Sequence, residues 1–356
     1  MFDLKQNGNE NITETNAKAA VEASLEKGNN DESSKIPEVR YSTYYNGKKV
    51  NVYRVVVQPP NDWKTLPFNK LPDWLQDNEF LVKGYRPQLP SVSLCLRSIF
   101  RIHTETGNIW THLLGFIGLL IFAIYCFSVP LSQKTWQEQA VFGAFFAGAI
   151  TCLLFSSFFH TIYCYSFRVM KSSAKLDYLG IATLVVGSNV SLIYYAFYCY
   201  TIPLIIYETV AIVLGTAAAI VSLFDKFSES KYRTFRAALF GGVGGSGVVP
   251  LLHYCGITGF YRAIEIGGIP WFLASGLSYL VGVTLYATRT PERFFPGRCD
   301  IVFQSHQLFH VFVVVGAILT YCSLNSYADY HQLVGHNCSV VHSIFKNGFV
   351  TQLRRS

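Results

Sequence analysis

Polar and apolar positions divide this chain into a polar opening segment followed by long apolar stretches separated by short, often basic loops. Runs close to the roughly 20 residues that cross a bilayer as a helix occupy about 109–129, 139–162, 176–199, 202–224, 236–255, 269–288 and 304–324. The pattern predicts an all-α integral membrane protein built as a bundle of seven transmembrane helices. Composition agrees: 51% hydrophobic, 15% aromatic and only 14% charged residues are outside the usual range of soluble domains. No charged segment followed by a short apolar run opens the chain, so a cleavable signal peptide is not expected and span one directs insertion.

The polar opening has two parts. Residues 1–35, rich in Asn, Glu, Lys and Ser, read as a disordered cytosolic tail. Residues 36–104 gain Tyr44, Tyr53, Trp63, Trp74 and Tyr85 and read as a cytosolic and interfacial segment that packs on something the sequence does not identify. Within it, Ser93, Arg97 and Arg101 recur every four residues among Val92, Leu94, Leu96, Ile99, Phe100 and Ile102, the pattern of a short interfacial helix before span one. An ordinary amphipathic helix packed on the protein fits equally well. The seven-span domain then covers 105–325, and 326–356 form an extracellular tail.

Charge sets the orientation. Lys83, Arg86, Arg97 and Arg101 precede span one, and further Lys and Arg fill the loops after spans two, four and six. The other side offers Lys134, Arg262 and only Lys346, Arg354 and Arg355 in the tail. Basic residues stay inside, so the N-terminus is inside and the C-terminus outside, with Tyr194, Tyr195, Tyr198, Tyr200 and Trp271 suited to an outer aromatic belt. Net charge +7 reflects inner loops that meet anionic lipid, and implies no nucleic-acid partner.

That topology brings four ionisable residues to one leaflet. His160 lies near the inner end of span two, Asp177 on the first turn of span three, and His306 and His310 share one helix face at the start of span seven. Ionisable groups at this depth are costly to face toward lipid. Three imidazoles with an open position match a catalytic Zn2+ site, with Asp177 as acid-base residue and Ser156, one turn before His160, as a hydrogen-bonding neighbour. Taken singly, each of these residues has an ordinary explanation: a lone histidine as a helix contact, an aspartate as a helix-end partner.

Other features carry less. Gly242-Val243-Gly244-Gly245-Ser246-Gly247 matches a dinucleotide fingerprint but lacks its strand, and reads as close helix packing through small residues. His112 and His253 read as hydrogen-bonding histidines within spans; His103, His331, His336 and His342 lie outside the spans with no shared role. Cys199, Cys255, Cys322 and Cys338 fall near the outer face, where a disulfide is allowed but no pairing is singled out. Asn337-Cys338-Ser339 is an external glycosylation acceptor, while Asn11-Ile12-Thr13 is idle inside.

Several motifs in one order carry a resemblance: LPDWLQDNEFLVKGYRP from Leu71, FRIHTETGNIWTHLLG from Phe100, SSFFHTIYCYS from Ser156, KLDYLGIA from Lys175, PERFFPG from Pro291 and DIVFQSHQLFHV from Asp300. Over about residues 70–325 the chain resembles the progestin and adipoQ receptor family, most of all its adiponectin receptors. The resemblance implies zinc held by His160, His306 and His310, with Asp177 beside it, and an N-inside topology. It further implies a plasma-membrane receptor tied to fatty-acid oxidation and lipid metabolism, with ceramidase activity on a lipid in the inner leaflet. Implied partners are an adiponectin-like extracellular ligand, a cytosolic adaptor at the N-terminal region and a second copy of the chain. A non-enzymatic receptor or lipid sensor with structural zinc is the competing class.

Overall fold

A computed structural model describes residues 38–45, 48–56, 63–129, 131 and 134–347; the tail read from residues 1–35 lies outside them. Seven helices are long and apolar enough to cross a membrane. Span one is Thr106–Ser128, span two Trp136–Ile162, span three Phe167–Ala196, span four Thr201–Ser222, span six Gly268–Thr288 and span seven Ser305–Leu333. Span five is split into Arg233–Gly245 and Val248–Thr258 by a turn at Ser246 and Gly247. Neighbours in sequence pack side by side, span seven returns to span one, and spans three and seven also touch.

The all-helical expectation holds for the membrane part. Ahead of it stands an antiparallel hairpin, Glu38–Tyr45 with Lys48–Val56, irregular between Val39 and Arg40, which the sequence reading did not anticipate. The interfacial helix is shorter than expected, Val92–Ser98, with the Ser91 hydroxyl accepting the Leu94 N–H. Leu94 and Cys95 turn into a small core with Trp63, Leu71, Leu75, Leu81 and Tyr85, while Leu96 and Phe100 are exposed. The aromatic segment 63–90 therefore packs against the basic end of the bundle, through Ile162 and Cys164 of span two's terminus.

Spans three and seven continue through polar sequence beyond their apolar runs. Span three begins at Phe167, capped by Ser166, because its first turns are helical yet carry Arg168, Lys171 and Lys175. Asp177 consequently sits almost three turns inside the helix, and its first-turn placement is corrected. Span seven continues through polar Asn325 to Leu333, which places His331 within the helix and not beyond it.

Backbone contact sets how spans two and three cross. A Cβ on Gly148 would lie 2.4 Å from the Thr183 carbonyl oxygen, and one on Gly187 would lie 2.4 Å from that of Ala144. The Ser191 hydroxyl bonds the Val141 carbonyl at 2.7 Å along the same seam. By contrast, Gly241, Gly242, Gly244 and Gly245 face open space, and only Gly247 has near neighbours. The close-packing reading of this glycine run is therefore wrong: spans two and three are packed through glycine, and span five leaves its glycine surface bare.

At the end away from the basic loops, Cys199 and Cys338 form a disulfide that ties the terminal helix Cys338–Asn347 to span three. Tyr195 is 1% exposed and donates to Glu138 at 3.3 Å, so it is no belt residue, whereas Trp271 is exposed. His331 bonds the Tyr195 carbonyl at 3.0 Å, and His336 lies 3.8 Å from Glu138. These two histidines thus share a cluster at that end, contrary to expectation.

Substituting Gly148→Ala should destabilise the protein by about 1–3 kcal/mol through overpacking, and Gly244→Ala should be neutral or slightly stabilising. Thermal unfolding in detergent checks both. Equal losses would contradict the assignment of the packed seam.

Candidate metal centre

His160 projects from the last turns of span two, and His306 and His310 from the first two turns of span seven. A nitrogen of each lies within 4.8 Å of the others. Ring centroids are 4.8–4.9 Å apart, and the planes are inclined by 69–85°, so the rings converge without stacking on one another. The expected trio is therefore one group, at the basic end of the bundle.

Second contacts decide which nitrogen faces the centre. His160 Nδ1 lies 2.6 Å from a Glu105 carboxylate oxygen, leaving Nε2 buried with no hydrogen-bond partner. His310 Nδ1 donates to the Asn108 carbonyl at 3.1 Å. A histidine whose outer nitrogen is held by carboxylate or carbonyl offers its other lone pair as a metal ligand. The orphaned His160 Nε2 is what such an ion would satisfy, so the donor set fits a borderline metal favouring imidazole.

Glu105 is the site residue that sequence reasoning missed. Burial alone would push its carboxyl up; the His160 hydrogen bond and charge, with a further bond from Asn108 at 2.7 Å, draw it down to about 2. Its place is fixed by His103, buried and not idle as expected, whose Nδ1 accepts the Glu105 N–H while Nε2 donates to the Ser98 carbonyl. The available signal was a carboxylate at the threshold of an apolar span, three residues before Asn108.

The other elements lock the two spans together. Arg86, fully buried, donates to the carbonyls of His160 and Thr161, which lack intrahelical donors at a helix C-terminus. Gln304 and Gln307 both donate to the Thr104 carbonyl, and Gly107 leaves room for Gln307. Glu292 accepts the Ser305 N–H at 2.7 Å and its hydroxyl, placing an anion at the start of span seven where the helix dipole favours one.

Asp177 and Ser156 interact with one another and line the same cavity of about 1060 Å³ as His160, His306 and His310. Both are buried, and Ser156 stands one turn before His160. Asp177 is not among the converging donors, which leaves it facing the space beside them. His112 corrects another expectation: neither ring nitrogen has a partner, and the ring stacks on His310 at 3.7 Å and 9°. His253 does hydrogen-bond, with Tyr207 at 3.0 Å.

Fold and site together define a seven-span integral membrane protein with a buried three-histidine centre at one end of the bundle. Residues 100–321 match the model of the Haemolysin-III related family. The chain is 51% identical over 266 residues to progestin and adipoQ receptor-like protein 1 of Caenorhabditis elegans, covering 75% of this chain and 61% of that one. It is 48% identical to the adiponectin receptor protein of Drosophila melanogaster, covering 78% and 62%. An ADIPOR-like receptor of Saccharomyces cerevisiae is 34% identical, covering 80% and 87%. The chain belongs to the progestin and adipoQ receptor family, within the wider Haemolysin-III related group and close to its adiponectin receptors. It spans about three fifths of the length of the nematode and fly relatives.

Glu105→Ala should weaken metal binding about 10–100-fold, the usual cost of losing an outer partner of a ligand, while leaving the fold intact by circular dichroism. Unchanged affinity in a chelator competition would remove Glu105 from the site.

Proposed function

We propose that this protein is a zinc-dependent hydrolase of a lipid amide, ceramide or a close relative, coupled to a receptor role at the plasma membrane. The observation that carries the reading is the buried, unpartnered His160 Nε2 directed into a triad that shares a cavity with Asp177. Its orientation is N-terminus inside, as the basic loops favour, so the centre lies in the inner leaflet.

His160, His306 and His310 would hold the ion, which supplies Lewis-acid polarisation of the amide carbonyl and lowers the pKa of water. The chain's own residues do the rest. The apolar cavity wall seats the acyl chain and keeps bulk water from the reacting amide. Asp177 takes a proton from the attacking water as its oxygen bonds to the carbonyl carbon. It returns that proton to the nitrogen as the carbon–nitrogen bond breaks, giving a fatty acid and a long-chain amine. Ser156 orients the Asp177 carboxylate between these transfers, and Glu105 holds His160 in the tautomer the ion needs.

The family's named hormone receptors support a signalling output, here with an adiponectin-like protein outside, an adaptor at the N-terminal segment and a second copy in the membrane. Altered lipid metabolism then follows from the products. A metal that only braces spans two and seven would serve a receptor without turnover.

Asp177→Ala should lower release of the amine from ceramide at least about 100-fold, within the range general acid-base catalysis supplies, with zinc content unchanged. The comparison uses purified full-length protein in lipid. Turnover equal in wild type and variant would rule out Asp177 as the proton carrier; no turnover in either would favour the receptor with a bracing metal.

A further inference from the structure

Two sulfurs at the basic end of the bundle take no part in the metal centre or in the proposed chemistry. Cys95, within the short helix Val92–Ser98, and Cys164, just past the end of span two, place their Sγ atoms 3.9 Å apart across a sequence separation of 69. Both side chains are fully buried. Among the described residues this is the one contact between free thiols. A formed bridge, Cys199–Cys338, stands at the opposite end. With the N-terminus inside, as proposed above, the formed bridge faces the oxidising side and the thiol pair the reducing one, the distribution that compartment chemistry imposes.

The two sulfurs are not equivalent. Burial alone would push the Cys164 thiol up, but its bond to Cys95 and the Arg86 charge draw it down to about 7. At Cys95 the same sulfur–sulfur bond, and then burial, push the thiol up. Since the thiolate is the nucleophile, Cys164 is the attacking sulfur and Cys95 the resolving one.

The pair also joins two mechanical elements. The Ser98 hydroxyl donates to the Cys95 carbonyl at 2.6 Å and accepts from Arg86 at 2.7 Å. Arg86 in turn holds the carbonyls of His160 and Thr161, and the Cys164 carbonyl accepts the Leu89 N–H at 3.0 Å. The helix between them has only seven residues and exposes Val92 and Leu96. An element this short and this lightly covered opens locally, which gives a small oxidant its access to the sulfurs.

We propose that Cys95 and Cys164 form a reversible peroxide-sensitive site, whose disulfide latches the short helix to the end of span two. The Cys164 sulfur attacks one oxygen of hydrogen peroxide and the O–O bond breaks. The other oxygen leaves as water with the proton the thiol gave up, and Cys164 becomes a sulfenic acid. The Cys95 sulfur then attacks that sulfur: the S–S bond forms, the S–O bond breaks, and the hydroxyl leaves as a second water with the Cys95 proton. Two thiols lose two electrons and one peroxide gains them; a dithiol reductant reverses the change by exchange. No atom of the triad takes part, so the latch stands whether or not the protein hydrolyses an amide.

The test exposes full-length protein in nanodiscs to micromolar hydrogen peroxide, alkylates the remaining thiols, and maps peptides and amide exchange by mass spectrometry. Wild type should yield a Cys95–Cys164 cross-link that dithiothreitol removes, and exchange across Val92–Ser98 should slow at least about tenfold. Cys95→Ser should block the cross-link and leave a dimedone-reactive sulfenic acid on Cys164; Cys164→Ser should leave Cys95 a thiol. Recovery of both wild-type cysteines as thiols, under peroxide that oxidises Cys299, would overturn the proposal even if a variant failed to fold. A cross-link without slower exchange would overturn the latch. Sulfenic acid on Cys95 with Cys164 intact would overturn the assigned order of attack.

Discussion

The contact between Glu105 and His160 is the constraint on which the centre depends. Three imidazoles packed within one another's reach would, left free, turn their nitrogens to whatever partner lay nearest. The 2.6 Å contact at Nδ1 removes that freedom for His160 and leaves its other nitrogen unpaired inside the triad. An unsatisfied buried polar atom costs about 1–3 kcal/mol, and here it is kept by a carboxylate that Asn108 holds, on a residue whose backbone N–H donates to His103. A metal held by the three histidines, as proposed, would relieve that cost.

Much of the surrounding architecture serves to hold that contact in place. Glu105 precedes span one, His160 ends span two and the other two histidines begin span seven, so three helix ends must meet at one level. Arg86 secures the end of span two, the two glutamines join span seven to Thr104, and Glu292 sets where span seven starts. Glycine contacts between spans two and three then fix Asp177 relative to His160. The polar motifs flanking the spans thus find physical roles as the joints of the basic end.

The spans were legible because apolar runs near 20 residues have few alternatives, and the histidines because imidazoles at one depth in an apolar bundle need a common explanation. What hydropathy could not show were helices continuing through polar sequence: the first turns of span three carry lysine and arginine, which displaced Asp177 from its true depth. Glycine was misread for a related reason. Sequence spacing cannot tell a glycine pressed against a neighbouring carbonyl, as at Gly148, from one facing open space, as at Gly244. Glu105 and His103 escaped notice because their roles come from contacts across more than one element, and composition carries no trace of those. The Cys199–Cys338 bridge was likewise beyond reach until the end of span three and the helix after span seven were placed together.

The central claim is that the three histidines hold a metal in the protein as it folds in its membrane. The most direct measurement is elemental analysis of full-length protein purified without chelator, alongside His310→Ala. The account predicts close to one zinc per chain in the wild type and a loss of most of it in the variant. Wild-type protein that carries no metal above the buffer level, or a variant that keeps its full complement, would contradict it.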